Sequence, residues 1–314
     1  MLVIPVLLLS LFAQFPVSGD PGETPEQRAI DYLAVEVARW RQENKCLSCH
    51  NNGDGARALY AAIRLGYRVP AEALEDTTQW LRQPSRWDTN RSDSAFSDQK
   101  LARIQFAAAL GEAFDAKVVR DRTPLLEAAR MLLPDQDADG CWRVDTESPA
   151  ASPATYGPFL ATYLARRALE RADSREFRDA IDRANRWLLA AKPRSNLDAA
   201  ALLLAHPHAQ PILQRNLERL LRAQTSDGGW GPQPSVPAEV FDTAIVLLAL
   251  AKVDQPNRTK EAVRRGRDFL IRQQQATGGW PETTRPSGAQ SYAEHISTSG
   301  WATLALLTTD PKRQ

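Results

Sequence analysis

The chain of 314 residues is 43% hydrophobic and 25% charged, with a formal net charge of +1. A chain of this size can bury one large core or two small ones. Because the charge is nearly balanced and no cluster of Lys and Arg interleaves with aromatic residues, nucleic acid is excluded as an expected partner.

The N-terminus has the pattern of an export signal. Residues 1–17 are apolar but short and interrupted by proline, and the Val-Ser-Gly sequence at 17–19 is typical of a cleavage site. We therefore expect residues 1–19 to be a signal and residues 20–314 to form one domain that is periplasmic or secreted, with no stable membrane span after cleavage. No Lys or Arg lies near Met1, as it would in a usual signal, so a membrane anchor at the N-terminus is the alternative.

The first predicted helix leads into a cysteine motif. Thr24 as the N-cap and Pro25 at the first helical position predict a helix that runs to about residue 45, and a second helix is expected over 56–65. Between them lies Cys46-Leu-Ser-Cys49-His50, which has the spacing for attachment of a c-type haem. This pattern predicts haem c bound through Cys46 and Cys49, with His50 as the proximal iron ligand.

Three other interpretations of this motif stay open. In an oxidising compartment Cys46 and Cys49 could form a disulfide. The two thiols, His50 and one remote ligand could hold zinc, although a second Cys/His pair at suitable spacing is missing. The motif could also be a purely structural turn, since it occupies the position of a turn between paired helices.

Several residues are candidates for a second axial haem ligand. They are Met131, which fits the apolar stripe of a helix; His206 and His208, which flank Pro207 in a connection; and His295, at the start of the last helix. A five-coordinate haem is equally compatible with the sequence.

A repeated turn organises the rest of the chain. The stretch from Gln224 to Trp230, QTSDGGW, joins one amphipathic helix to an apolar helix, and similar turns end at Trp142 and Trp280. Trp230 and Trp280 are about 50 residues apart, which is the period of a helical repeat array. The helix pairs are predicted as follows: 24–45 with 56–65, 70–83 with 95–114, 123–133 with 155–169, 174–191 with 196–205, and two further pairs around Trp230 and Trp280. No segment has the pattern of a strand.

These motifs resemble the Gln-Trp repeats of the squalene cyclase and prenyltransferase superfamily. The resemblance is carried by DGGW at 227–230 with VFDTAIVLLALA at 240–251, and it is weakest in the first hundred residues. It implies an all-α fold, an (α/α)6 toroid of about six helical hairpins. It does not fix the function, because such toroids serve cyclases, protein prenyltransferases and thioester proteins.

The resemblance also indicates which chemistry has been lost. Alkene-protonating cyclases use a DxDD stretch, and the corresponding segment here, EVFDTA at 239–244, has Phe241 at the position of the proton donor. Cyclase chemistry of that kind is therefore not expected, and Asp242 is left as the candidate catalytic residue. The sequence leaves open whether the protein is an enzyme.

Two further metal patterns have simpler explanations. The acids of 135–140, DQDADG, alternate as in a calcium loop, but Thr146 replaces the expected glutamate, so a polar repeat turn is favoured. Asp139, Cys141 and His295 could be fitted to the zinc ligands of protein prenyltransferases. Cys141 belongs to a repeat turn, however, and fits a small apolar turn residue better.

Three functions compete at this stage. The first is an exported toroid with covalent haem for electron transfer or redox sensing, with a redox partner. The second is a protein that binds an isoprenoid or other lipid without cyclising it. The third is a non-catalytic interaction scaffold that uses exposed loops such as 232–237 and 282–290.

Overall fold

The computed structural model describes residues 23–89, 98–144, 156–283 and 290–312. The expected signal at 1–19 lies outside these residues. The described residues form twelve α-helices: α1 Pro25–Asn44, α2 Ala56–Arg64, α3 Glu75–Leu81, α4 Gln99–Asp115, α5 Thr123–Leu132, α6 Gly157–Asp173, α7 Arg178–Ala190, α8 Asn196–Ala205, α9 Gln210–Ala223, α10 Val240–Lys252, α11 Pro256–Gln273 and α12 Tyr292–Thr308.

The helices form six hairpins that close into a ring. The even-numbered helices are the inner ones, and each packs against the even-numbered helix on either side, with α12 returning to α2. The odd-numbered helices pack outside them. The predicted all-α toroid is confirmed, and the described part of the chain contains no strand, only one isolated bridge between Trp230 and Glu239.

Composition explains which helix of each hairpin is the inner one. Every residue of α8 except Asp198 is buried, and α10 is buried over most of its length. The outer helices α7, α9 and α11 each bury one apolar stripe and expose charged residues on the other side. None of the helices in the described ranges is both long enough and apolar enough to cross a bilayer.

The three repeat turns have the same hydrogen bonds. Each tryptophan is fully buried, and its indole N–H donates to the carbonyl ten residues earlier: Trp142 to Leu132 at 2.8 Å, Trp230 to Leu220 at 2.7 Å and Trp280 to Leu270 at 2.7 Å. The backbone N–H of each tryptophan donates to a hydroxyl of the following inner helix, on Thr162, Thr243 or Ser299. The turn therefore fixes the outer helix to the inner helix of its own hairpin.

A glutamine in each turn joins neighbouring hairpins. The side-chain amides of Gln136, Gln224 and Gln274 each donate to the carbonyl of the turn glycine and to a carbonyl in the next outer helix. For Gln136 and Gln224 those carbonyls belong to Ala180 in α7 and Ala262 in α11. For Gln274 it belongs to Pro25 in α1, so the last turn closes the ring onto the first helix.

The first hairpins depart from the predicted boundaries. The predicted helix 70–83 is divided into a 3-10 turn, Ala71–Leu74, and the short helix α3. The segment after the cysteine motif was expected to be a turn before a new helix, but it is a π-helical segment, Cys49–Gly55, that continues directly into α2.

Candidate functional site

The segment that carries the cysteine motif lies inside the toroid rather than on its surface. The first outer helix ends with Lys45 in the left-handed conformation, at φ 57°, and the π-helical segment Cys49–Gly55 then packs against α1, α2, α4 and α12. His50 and every residue from Asn51 to Gly55 are buried. A sequence as polar as HNNGDG is seldom buried without partners for its polar groups.

Most of these polar groups do have partners. The Asn51 side-chain amide donates to the Glu36 carbonyl at 2.9 Å and to the Tyr292 hydroxyl at 2.8 Å. The Asn52 carboxamide accepts from the backbone N–H of Ser48 and donates to the Thr77 hydroxyl, both at 2.8 Å. These bonds join the segment to α1, α3 and α12.

His50 is the exception in this segment. Its side chain is buried, with 7% of the residue exposed, and neither ring nitrogen has a hydrogen-bond partner in the structure. The imidazole lies edge-on to the rings of Trp40 and Tyr292, at 5.0 and 5.8 Å between ring centres. The Trp40 and Tyr292 rings are stacked on each other. Burial lowers the pKa of His50 to about 3, so the imidazole is neutral and one nitrogen keeps a free lone pair.

The thiols of the motif are free. Cys46 and Cys49 are partly buried and are not joined by a disulfide in this structure. Burial, followed by the Asp54 carboxylate, raises the pKa of the Cys49 thiol to about 12. Two thiols at the attachment spacing, followed by a neutral imidazole with unpartnered nitrogens, match the donor set of a c-type haem.

The candidate second ligands lie in different surroundings. Both ring nitrogens of His295 are engaged, one with the Tyr32 hydroxyl at 2.8 Å and the other with the Glu282 carboxylate at 3.3 Å. Met131 is partly buried and packs against the core in α5, as a core residue would. His206 and His208 follow the C-terminal end of the inner helix α8, whereas the motif precedes the N-terminal end of the inner helix α2.

Four residues beyond His50, Asp54 is the centre of a second buried cluster. Its carboxylate accepts hydrogen bonds from the hydroxyl of Tyr156 and from the amide of Gln105, the latter at 2.8 Å. Burial raises the pKa of Asp54, while the nearby Arg57 and the two hydrogen bonds oppose this rise. The carboxyl group therefore ties the π-helical segment to α4 and to the residue that precedes α6.

Aromatic residues surround this acid. The indole N–H of Trp301 donates to the Tyr156 hydroxyl at 3.2 Å, and the Arg57 guanidinium lies 4.1 Å from the centre of a Trp301 ring. The Phe241 ring meets Trp301 edge-on, at 6.2 Å between ring centres. Phe241, which the sequence comparison aligns with the proton-donor position of a DxDD stretch, thus lies in the same aromatic cluster as the tyrosine that binds Asp54.

The sequence pattern indicates Asp242 as the candidate acid and does not indicate Asp54. Asp242 is fully buried in the first turn of α10. The only sequence signal for Asp54 is its place in a polar run, NNGDG, that leads into a helix whose first seven residues are all buried.

The residues of the other two candidate metal sites have different roles in the structure. Their carboxylates pair with arginines, or the residues lie in different hairpins. Asp137 and Asp139 both pair with Arg143, at 2.6 and 2.5 Å, and Asp135 pairs with Arg103 at 2.8 Å. Cys141 is buried in the third hairpin, whereas His295 lies in the sixth, so the fold does not group Asp139, Cys141 and His295. Within the described ranges, no group of three or more His, Cys, Asp or Glu side chains is arranged to hold a metal ion.

Comparison with known proteins agrees with the fold. Residues 197–314 match the model of the squalene-hopene cyclase C-terminal domain. Lanosterol synthase erg7A of Aspergillus fumigatus is 32% identical over 90 residues, which are 27% of this chain and 12% of that enzyme. Lanosterol synthase of Saccharomyces cerevisiae is 30% identical over 95 residues, 29% of this chain and 13% of that enzyme. The matched stretch is thus a small part of these relatives.

Solved structures resemble a larger part of the chain. A variant of the type II terpene cyclase MstE from Scytonema, in complex with geranylgeranyl dihydroxybenzoate, has a TM-score of 0.56 and 14% identity, covering 91% of this chain and 98% of that one. The unsaturated glucuronyl hydrolase of Bacillus sp. GL1 has a TM-score of 0.61 and 15% identity, covering 91% and 97%. The helical toroid is therefore shared with terpene cyclases and with an unrelated hydrolase, and it does not by itself select a reaction.

Proposed function

We propose that the protein is an exported α/α toroid that carries a c-type haem at Cys46, Cys49 and His50 and serves electron transfer or redox sensing. The observation that supports this most strongly is the buried imidazole of His50, with no hydrogen-bond partner on either nitrogen, in a residue that directly follows Cys49 in a motif with two free thiols. When bound, haem supplies an iron that exchanges one electron between its ferric and ferrous states.

The surroundings of His50 suit an iron ligand. An unsatisfied buried polar group costs about 1–3 kcal/mol. Among the described residues with such atoms, His50 is the one in which two side-chain atoms lack a partner. Trp40 and Tyr292 hold the ring from two sides and exclude water. The low pKa keeps the imidazole neutral at physiological pH, as iron ligation requires.

Export and a redox partner belong to the same proposal. The expected signal at 1–19 would deliver the chain to the compartment where thiols are joined to haem. Tyr292, stacked on Trp40, is 38% exposed, so the aromatic pair beside His50 reaches the surface. A partner that docks at this face would approach the haem ligand within a few side chains.

The test is expression in a host that attaches haem covalently. Wild-type protein should give a sharp reduced-minus-oxidised α band that survives acid-acetone extraction. The double variant Cys46→Ala, Cys49→Ala should lose that band, whereas Cys141→Ala, which changes the buried thiol of the third hairpin, should keep it. Wild-type protein without the band would overturn the proposal.

A second candidate function comes from Asp54. A buried carboxyl group with a raised pKa, below Tyr156 and an aromatic cluster of Trp301 and Phe241, is the kind of group that could bind or protonate the alkene of an isoprenoid. Incubation with geranylgeranyl and squalene substrates, using Asp54→Asn as the control, tests it. If wild-type protein neither binds nor converts these substrates, this candidate function is excluded.

A further inference from the structure

A cavity of about 250 Å³ opens beside the cysteine motif, on the side of α1 that faces α3. Its wall includes Leu47, which lies between Cys46 and Cys49 in the chain, and the ring of Trp80. The end of α1, the helix α3 and the 3-10 segment Pro84–Thr89 enclose it.

Three cationic side chains line this cavity: Arg41, Lys45 and Arg86. Among the described residues, their hydrogen bonds go to neutral acceptors. The Arg41 guanidinium donates to the Lys45 carbonyl at 2.7 Å, and the Arg86 guanidinium donates to the Gln83 side chain at 2.9 Å. The Lys45 ammonium donates to the Gln42 carbonyl at 2.5 Å.

Within the described ranges, none of these three cations lies within ion-pair distance of a carboxylate. Other arginines of the described residues, such as Arg39, Arg103 and Arg171, do pair with a carboxylate. The cavity wall contains one acidic residue, Asp76, against three cations. The wall therefore carries an excess of positive charge in a concave site next to the motif.

We propose that this cavity binds carboxylate groups. Guanidinium groups match the planar geometry of a carboxylate, and a hydrogen bond between charged groups is stronger than one between neutral groups. The carboxylates have two potential sources: the propionates of a haem attached at Cys46 and Cys49, a source that rests on the proposed function, or a free organic dicarboxylate.

The experiment uses two triple variants with the same change of net charge. The cavity variant is Arg41→Gln, Lys45→Gln, Arg86→Gln. The control variant is Arg178→Gln, Arg215→Gln, Lys260→Gln, which removes three exposed cations from α7, α9 and α11. Circular dichroism first establishes that both variants are folded.

The first arm measures the midpoint potential of haem-loaded protein as a function of pH. If the propionates bind in the cavity, their apparent pKa rises by about one unit in the cavity variant, because cations that favoured the ionised form are gone. The control variant should titrate like the wild type.

The second arm titrates succinate into protein with Cys46→Ala and Cys49→Ala, by calorimetry. If the ligand is a free dicarboxylate, succinate should bind at least tenfold more weakly to the cavity variant, a loss of about 1.4 kcal/mol, and should bind the control variant without loss. If wild-type protein carries no haem, the proposed function is refuted. The succinate titration alone then tests whether the cavity binds carboxylates. The carboxylate site is overturned if both arms fail. In the first arm, this means that the protein has no haem or that the pH profile of its potential is unchanged in the cavity variant. In the second arm, it means that succinate does not bind or binds equally to both variants.

Discussion

The side-chain amide of Gln274 donates a 2.9 Å hydrogen bond to the Pro25 carbonyl, across 249 residues of sequence. It also donates to Gly278 at 2.9 Å, and its own carbonyl accepts from Arg28 at 2.6 Å. Gln224 makes the equivalent pair of amide bonds within the chain, to Gly228 and Ala262. Gln274 thus joins the last hairpin to the first in the same way that Gln224 joins two adjacent hairpins.

Replacing Gln274 by Ala should lower the free energy of unfolding by about 2 kcal/mol, because partly buried carbonyls lose their donor. Gln224→Ala is the matched control and should cost a similar amount. The two should differ in hydrogen exchange: Gln274→Ala should increase exchange in α1, and Gln224→Ala should not. Equal exchange in α1 would show that this bond does not secure the closure.

Gly278→Ala should destabilise the protein strongly. Gly278 has φ +95°, and a Cβ there would lie 2.3 Å from the Arg28 carbonyl oxygen, so α1 would have to move. We expect a loss of about 3 kcal/mol or more in chemical denaturation. Gly157→Ala is the control: φ is +58°, but no atom lies within 4 Å of the new Cβ, so only the backbone strain of about 1–2 kcal/mol applies. Similar costs for both would contradict the predicted clash.

His50→Phe should stabilise the protein when no haem is attached, by about 1–2 kcal/mol, since it removes buried polar atoms without partners. Asn52→Leu, in the same segment, removes buried polar atoms that do have hydrogen-bond partners. It should destabilise by about 2 kcal/mol or more, because Ser48 and Thr77 would lose their partner. Thermal unfolding of the protein without haem measures both. A destabilised His50→Phe variant would mean that the imidazole has a structural role.

Glu294 should make stability depend on pH around neutrality. Burial, with a smaller contribution from the Glu282 carboxylate, raises the pKa of Glu294 from 4.5 to about 7 in the folded state. The folded state therefore binds this proton more tightly than the unfolded state does. The resulting stabilisation is complete below about pH 4.5 and is lost as the pH rises to about 7.

Denaturant titrations between pH 4.5 and 7 check this prediction. The contribution of Glu294 to the slope approaches one proton, about 1.4 kcal/mol per pH unit. Glu294→Gln should remove it, while the N-cap bond from the Glu294 backbone to Ser291 is retained. An unchanged slope in the variant would assign the pH dependence to other groups.

The repeat turns could be predicted because their determinants are local. Gln224, the glycines and Trp230 act within seven residues of each other, and the spacing of apolar residues then identifies the inner and outer helices. The boundaries of the second hairpin were less accurate, because α3 is a short helix that depends on packing against its neighbours.

The surroundings of the candidate sites could not be predicted, because they form only when the ring closes. His50 meets Tyr292, and Asp54 meets Tyr156, at separations of more than a hundred residues. No local periodicity relates such positions. The motif CLSCH indicates a chemistry from its spacing alone, whereas the unpartnered state of the imidazole and the cationic cavity required the fold.

The contact between Trp40 and Tyr292 also makes the surroundings of His50 depend on closure of the ring. The aromatic surroundings of His50 are completed by α12, which is synthesised more than two hundred residues after the first hairpin. Before α12 packs against the first hairpin, Tyr292 does not yet cover His50, and we expect the segment that carries Cys46 and Cys49 to be more accessible to an enzyme that modifies thiols. Covalent attachment at these thiols is thus expected to precede closure, after which α12 would cover His50.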